Sequence, residues 1–173
     1  MEKSKFDQAF SIVLADEGGY SSNPNDPGNW TGGRIHAGYL KGTKYGISAK
    51  AYPDLDIKAL TEDEAKRIYK KDYWDKYHCG DLTWPFALAL FDAVVNQGPY
   101  AVKWMQQVHA VKADGLVGKG TITAVNNAQD ILDNLARFMA ERAKHYAGLP
   151  TFNVFGKGWM TRLFRIHEEA INA

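Results

Sequence analysis

The stretch ADEGGYSSNPNDPG, residues 15–28, is where a helical pattern gives way to a polar loop. Upstream of it, Phe6, Phe10, Val13 and Leu14 share one face at helical spacing, so a first helix is expected from about Ser4 to Glu17. Gly18-Gly19 supplies the stop, because glycine tolerates the left-handed backbone that ends helices. Downstream, residues 18–60 are rich in Gly, Asn, Pro, Tyr and Thr and contain short strand-like pieces such as GTKYGIS. They read as turns and a small antiparallel sheet.

From residue 61 the chain turns helical. TEDE, residues 61–64, is a capping box in which Thr61 and Glu64 satisfy each other's backbone amides, and Ala65, Ile68, Tyr69 and Tyr73 then face inward. WPFALALFDAVVNQG, residues 84–98, begins with Pro85 near its first turn, ends at Gly98 and is apolar nearly all round, so it is expected to be a buried central helix. Helices are also expected around Ala101–Val108, near 121–128, from about 130 to 147, and after Gly156–Gly158 up to about Ala170, with Asp114-Gly115 as a turn. The expected class is α+β, mainly α: a helical body (about 61–173) with a small β-rich lobe (about 18–60) inserted after the first helix, in a single domain of residues 1–173.

The totals narrow the function. Lys+Arg is 21 against Asp+Glu 20, scattered along the chain, which gives no reason to expect a nucleic-acid partner. Hydrophobic residues make up 45%, which argues against disorder. The one cysteine, Cys79, rules out an internal disulfide. MEKSKFDQAF has no apolar core of a secretory signal, and no window approaches the ~18–20 apolar residues of a membrane span. The expectation is a protein made in the cytoplasm without a signal peptide. The five histidines (36, 78, 109, 145, 167) show no metal-ligand spacing, so neither metal nor cofactor is expected.

Glu17 stands out chemically. With Phe6 as zero and 100° per residue, Phe10 falls at about 40°, Val13 at about −20° and Glu17 at about 20°. Glu17 therefore continues the apolar stripe, at the last turn of the expected helix. Desolvation there disfavours its anion, and so does the negative end of the helix dipole. An acid held protonated near neutral pH is what a general acid needs. Asp26, nine residues on, has an ordinary reading as the Asp of an Asp-Pro-Gly turn. Its other reading is as the second carboxylate that glycoside hydrolysis uses across the scissile bond.

EGGY, then NDPG, then GTKYGIS, together with DAVVNQGPYAVKWMQQVHAVKADGLVGKGTITAV (92–125), resembles glycoside hydrolase family 108. These are lysozyme-like N-acetylmuramidases found mainly as phage or prophage endolysins. The resemblance implies a lysozyme-like fold, and that region 92–170 is a peptidoglycan-binding region. It also implies that Glu17 is the catalytic glutamate, that Asp26 is its Asp partner, and that Thr43 is the threonine of a Glu–Asp–Thr constellation. NWTGGRIHAGYLK, residues 29–41, is inserted between DPG and GT, which makes Thr31 a rival; Thr43 is preferred because it keeps the YGIS context. Glu17 would protonate the glycosidic oxygen. Asp26 would stabilise the oxocarbenium-like centre or position a water, with Thr43 orienting that water.

A glycan strand needs aromatic platforms and amide hydrogen bonds. Tyr20, Trp30 and Tyr39 lie in the β-rich lobe and are the groove candidates, while Tyr45 reads as structural. Asn96 and Gln97 end the apolar helix, where they either cap it or bind an N-acetyl group; Asp92 reads as a structural ion-pair partner. The expected substrate is the peptidoglycan glycan strand and the expected reaction is hydrolysis of the β-1,4 bond between N-acetylmuramic acid and N-acetylglucosamine. The expected enzyme is a monomer that reaches the cell wall through a holin lesion or another specialised export route. A lytic transglycosylase and a non-catalytic peptidoglycan-binding or secretion-accessory protein are the alternatives.

Overall fold

The computed structural model describes residues 3–15 and 19–172. Among them the architecture is mainly α, with seven helices and one two-stranded antiparallel sheet, as the α+β expectation has it. Backbone contacts divide the chain into two compact units, Val13–Tyr69 and the combination of Met1–Ile12 with Lys70–Ala173.

The helical unit is built around α3, Trp84–Gln97. Pro85 sits in its first turn and Gly98 follows its end with φ 82, and every residue from Phe86 to Val94 is buried. That burial is what an all-round apolar helix requires. Helices α4 (Ala101–Val108), α6 (Ile131–Ala147) and α7 (Phe152–Ile171) pack against it, and α6 and α7 pair with each other. Edge-on aromatic contacts knit the first residues of the chain to this core. Phe6, on α1 (Lys5–Leu14), lies 5.6 Å from Trp74 and 6.1 Å from Phe91, ring centre to ring centre. Ser4 caps α1, its hydroxyl accepting from the Asp7 amide at 3.1 Å.

Two expected boundaries are wrong: α1 ends at Leu14, with Ala15 in a turn, short of the expected end at Glu17. The last helix begins at Phe152, not after Gly158, and runs through both glycines. A helical glycine costs only about 1 kcal/mol relative to alanine. Here the missing side chain is used: a Cβ on Gly156 would meet the Phe152 ring at 2.7 Å. One turn further, Trp159 stacks on Tyr146 of α6 at 4.9 Å. The short helix α5 spans Lys119–Asn126. The turn before it is held by buried Gln106, whose amide donates to Asp114, Leu116 and Thr121 and accepts from the Gly115 amide. Those bonds make 113–121 a helix connection. The Asp114 carboxyl is held below its usual range, first by the Leu116 amide, which donates to it at 3.0 Å, and second by Gln106.

The other unit, Val13–Tyr69, is mostly loop. Its sheet pairs β1 (Thr43–Lys44) with β2 (Ile47–Ser48), with Thr43 opposite Ser48. Tyr45 and Gly46 form the two-residue connection with φ 51 and 71, the primed turn whose twist suits a hairpin. The Tyr45 carbonyl accepts from the Tyr69 hydroxyl at 3.0 Å, which ties the hairpin to α2, Glu62–Tyr69. The capping box of α2 forms as expected: the Thr61 amide donates to Glu64 at 2.8 Å and the Glu64 amide to Thr61 Oγ1 at 3.3 Å. These bonds keep the Glu64 carboxyl below its usual range. Tyr69 and Ala65 are buried, but Ile68 and Tyr73 only half so, because the helix widens after Tyr69 into a wider π-type turn, Lys70–Asp75, that buries Trp74 instead.

Candidate active site

The loop that follows Tyr20 folds on its own polar side chains. Asp26 precedes a short turn, Pro27–Asn29, and its Oδ1 accepts from the Gly28 amide at 2.8 Å. Proline and glycine make that turn inexpensive, since one fixes φ and the other lets the backbone come close. Asp26 thus does the ordinary Asp-Pro-Gly work with one oxygen. Its Oδ2 has no hydrogen-bond partner among the described residues, and the side chain is exposed.

Asn29 closes the turn and is fully buried. Its Nδ2 donates to the Asn23 carbonyl at 3.0 Å and its Oδ1 accepts from the Thr43 hydroxyl at 2.7 Å. Its backbone amide donates to the Asp26 carbonyl, and its own carbonyl accepts from the amides of Lys41 and Gly42. A buried polar side chain needs such a full set of partners. One residue therefore joins the Asp26 loop to the start of β1. Thr43 is anchored a second time, since it exchanges two backbone hydrogen bonds of 2.8 Å with Ser21. Gly42 makes that approach fit: its φ is 85, and a Cβ there would lie 2.4 Å from the Ser21 carbonyl and 2.7 Å from the Tyr20 ring.

Asp26 and Thr43 are thus brought into one hydrogen-bonded cluster. Thr31 is placed elsewhere. Its hydroxyl accepts from the Tyr39 amide at 2.9 Å and lies where a Cβ on Gly38 would meet it at 2.2 Å, so it braces the inserted hairpin. Within that hairpin Trp30 bridges to Leu40, donates from Nε1 to the Pro24 carbonyl at 2.9 Å and meets His36 edge-on at 5.2 Å. Tyr39 projects outward, 76% exposed, and Tyr20 is exposed beside Gly42. Glu17 lies outside the described residues, together with Asp16 and Gly18.

Asn96 and Gln97 belong to the helical unit and have internal partners. Asn96 Nδ2 donates to the backbone carbonyl of Asp92 at 2.8 Å and to its carboxylate at 3.2 Å. Gln97 donates to the Arg142 carbonyl at 3.0 Å and accepts from Arg142 Nε at 2.6 Å. Asp92 is the ion-pair residue that its apolar surroundings call for, held by Arg142 and by Arg162 Nε at 2.8 Å.

The described residues contain no group of three or more His, Cys, Asp or Glu side chains that would hold a metal ion. Cys79 is buried, and burial pushes its thiol pKa up. No helix among the described residues is long and apolar enough to cross a membrane.

The residue of this cluster that sequence reasoning missed is Asn29. Its only signal is position, directly after Asp-Pro-Gly, and nothing local announces that it is buried.

Comparison with known proteins finds one family model and a solved structure. The family model described as Glycosyl hydrolase 108 matches residues 10–98, a span that contains Glu17, Asp26, Asn29 and Thr43. Among solved structures, that of Brucella abortus SagA matches with a TM-score of 0.80 and 33% sequence identity, over 98% of this chain and 95% of that one. No curated protein sequence matches the chain at a significant level.

Proposed function

Since the chain belongs to the glycosyl hydrolase 108 family, we propose that it hydrolyses the β-1,4 bond between N-acetylmuramic acid and N-acetylglucosamine. The family makes it a glycoside hydrolase on a lysozyme-like, mainly α fold, and supports an enzyme that degrades peptidoglycan. The observation that carries the finer reading is the cluster in which Asn29 ties the Asp26 loop to Thr43. It holds, in one hydrogen-bonded cluster, an exposed carboxylate with an oxygen that has no partner among the described residues and a hydroxyl held in one direction.

In the proposed mechanism Glu17 donates its proton to the glycosidic oxygen as the bond to the anomeric carbon lengthens. Positive charge gathers at that carbon, and Asp26, as an anion, stabilises it and holds the incoming water. Thr43 fixes the second direction of that water. Tyr39 and Trp30 supply flat apolar surface for sugar rings, and Tyr20 flanks the cluster. A further contact with the wall is assigned to the helical unit. There Tyr100, Trp104, Gln107, Glu141, Lys144 and His145 line an open cleft of about 900 Å³, within the size range of ligand sites. The enzyme acts as a monomer in the cell wall, reached through a holin lesion or another specialised export route.

The test is mass spectrometry of peptidoglycan digested by the purified protein. A reducing N-acetylmuramic acid end is the expected product. A 1,6-anhydro end as the main product would assign a lytic transglycosylase, and a reducing N-acetylglucosamine end would move the cleavage to the other bond.

A further inference from the structure

We infer that Asn29 is a positioning residue that sets the direction of the Thr43 hydroxyl, turning it into a pure acceptor for the attacking water. The inference rests on the roles proposed above for Asp26 and Thr43.

The direction follows from which atoms can donate. The Asn23 carbonyl can only accept, so the Asn29 atom 3.0 Å from it must be the amide nitrogen. That fixes the rotation of the amide and puts Oδ1 against Thr43 Oγ1 at 2.7 Å. Oδ1 can also only accept, so the Thr43 hydroxyl hydrogen must point at Asn29. Thr43 Oγ1 is left with lone pairs and no hydrogen to give. Burial of Asn29 keeps water from competing for that amide, and four backbone and side-chain anchors leave it no second orientation.

The chemical consequence concerns the attacking water. A water that donates one hydrogen to Thr43 Oγ1 and the other to the Asp26 carboxylate keeps a lone pair free for the anomeric carbon. A hydroxyl free to rotate would also offer its own hydrogen to that lone pair and blunt the attack. In the step itself, the water oxygen bonds to the anomeric carbon as the bond to the leaving oxygen breaks. The leaving oxygen takes the Glu17 proton, and the water proton passes to Asp26. Thr43 and Asn29 exchange no proton; they hold geometry.

A double-mutant cycle on kcat, measured with permeabilised-cell sacculi over a range of substrate concentrations, tests this. Thr43→Val removes the acceptor. Asn29→Leu removes the group that aims it while keeping most of the volume, and Asn29→Ala takes its place if the leucine variant does not fold by circular dichroism. Each single change is expected to lower kcat tenfold or more, on the scale of about 100-fold known for small misplacements, with KM little changed. The double variant is expected to be no slower than Thr43→Val alone, because Asn29 acts through Thr43. Asn29→Asp, which restores an acceptor to Thr43, is expected to regain part of the lost kcat.

Losses that multiply in the double variant would make Asn29 an independent structural residue and overturn the inference. So would an Asn29→Leu or Asn29→Ala enzyme with wild-type kcat. A fully active Thr43→Val enzyme would instead remove Thr43 from the mechanism, and a fully active Glu17→Gln enzyme would remove the general acid, so failure of the underlying reading is told apart from failure of this step.

Discussion

Arg142 and Asp92 meet as an ion pair in which neither side chain has any solvent access. Asp92 sits in the most apolar helix of the chain, and Arg162 and Asn96 complete its partners. Breaking one side of such a pair leaves the other charge buried, which costs about 3–5 kcal/mol. Asp92→Ala is therefore expected to lower the urea midpoint sharply and to reduce the yield of folded protein. A midpoint within error of wild type would mean that the guanidinium finds water.

Glu17→Gln is expected to keep the fold and lose most of the activity, because glutamine keeps the volume but cannot protonate a leaving oxygen. Turbidity clearing of permeabilised cells, paired with a thermal melt, reads both. Asp26→Asn is expected to cost less than Glu17→Gln, since asparagine keeps the acceptor for the Gly28 amide and still holds a water. Asp26→Ala adds the loss of that cap, about 1 kcal/mol. The reverse order of activities would exchange the two roles.

Gly42→Ala is expected to damage both stability and catalysis. Its φ of 85 strains any L side chain, and the new methyl group would collide with the Ser21 carbonyl and the Tyr20 ring. Strain of this kind costs about 1–3 kcal/mol. Because Ser21 holds Thr43 through two backbone bonds, relief of the clash must shift the hydroxyl that Asn29 aims. Wild-type melting and wild-type rates together would show that the loop absorbs the change elsewhere.

His109 gives the fold an acid-side slope. Burial, more than the nearby Arg137 charge, holds its pKa below the ordinary value, against a smaller opposing effect of the Met105 carbonyl. Its Nδ1 lies 2.8 Å from that carbonyl, which requires the hydrogen there, and its Nε2 is buried without a partner among the described residues. The unfolded chain takes up the proton first, near pH about 6.5. The contribution is thus complete above that value and is lost as pH falls toward the folded-state pKa. Melting temperature is expected to drop as pH falls below about 6.5, and His109→Gln to flatten that drop. An unchanged slope in the variant would assign it to another group.

The parts of the fold that were legible in the sequence are those specified by neighbours along the chain. The Pro85-to-Gly98 apolar run and the Thr61–Glu64 cap each carry their own instructions. Gly156 and Gly158 misled, because glycine normally punctuates, whereas here Gly156 makes room for an aromatic ring four residues earlier. Asn29 was not legible because its burial is decided by Thr43, fourteen residues away. Asp92 announced that it needed partners, but Arg142 and Arg162, 50 and 70 residues on, could not be chosen from among the other cations. Glu17, the residue most clearly marked by the helical pattern, lies outside the described residues.

The span matched by the family model stops at residue 98, yet the counter-ions of Asp92 and the partner of Gln97 come from helices that begin at Ile131 and Phe152. That span is consequently no portable cassette. Cut there, it would carry an orphaned carboxylate and a bare oily rod into water, so exchange of parts between enzymes of this kind has to move the stretch from Trp84 to Ile171 as one inheritance.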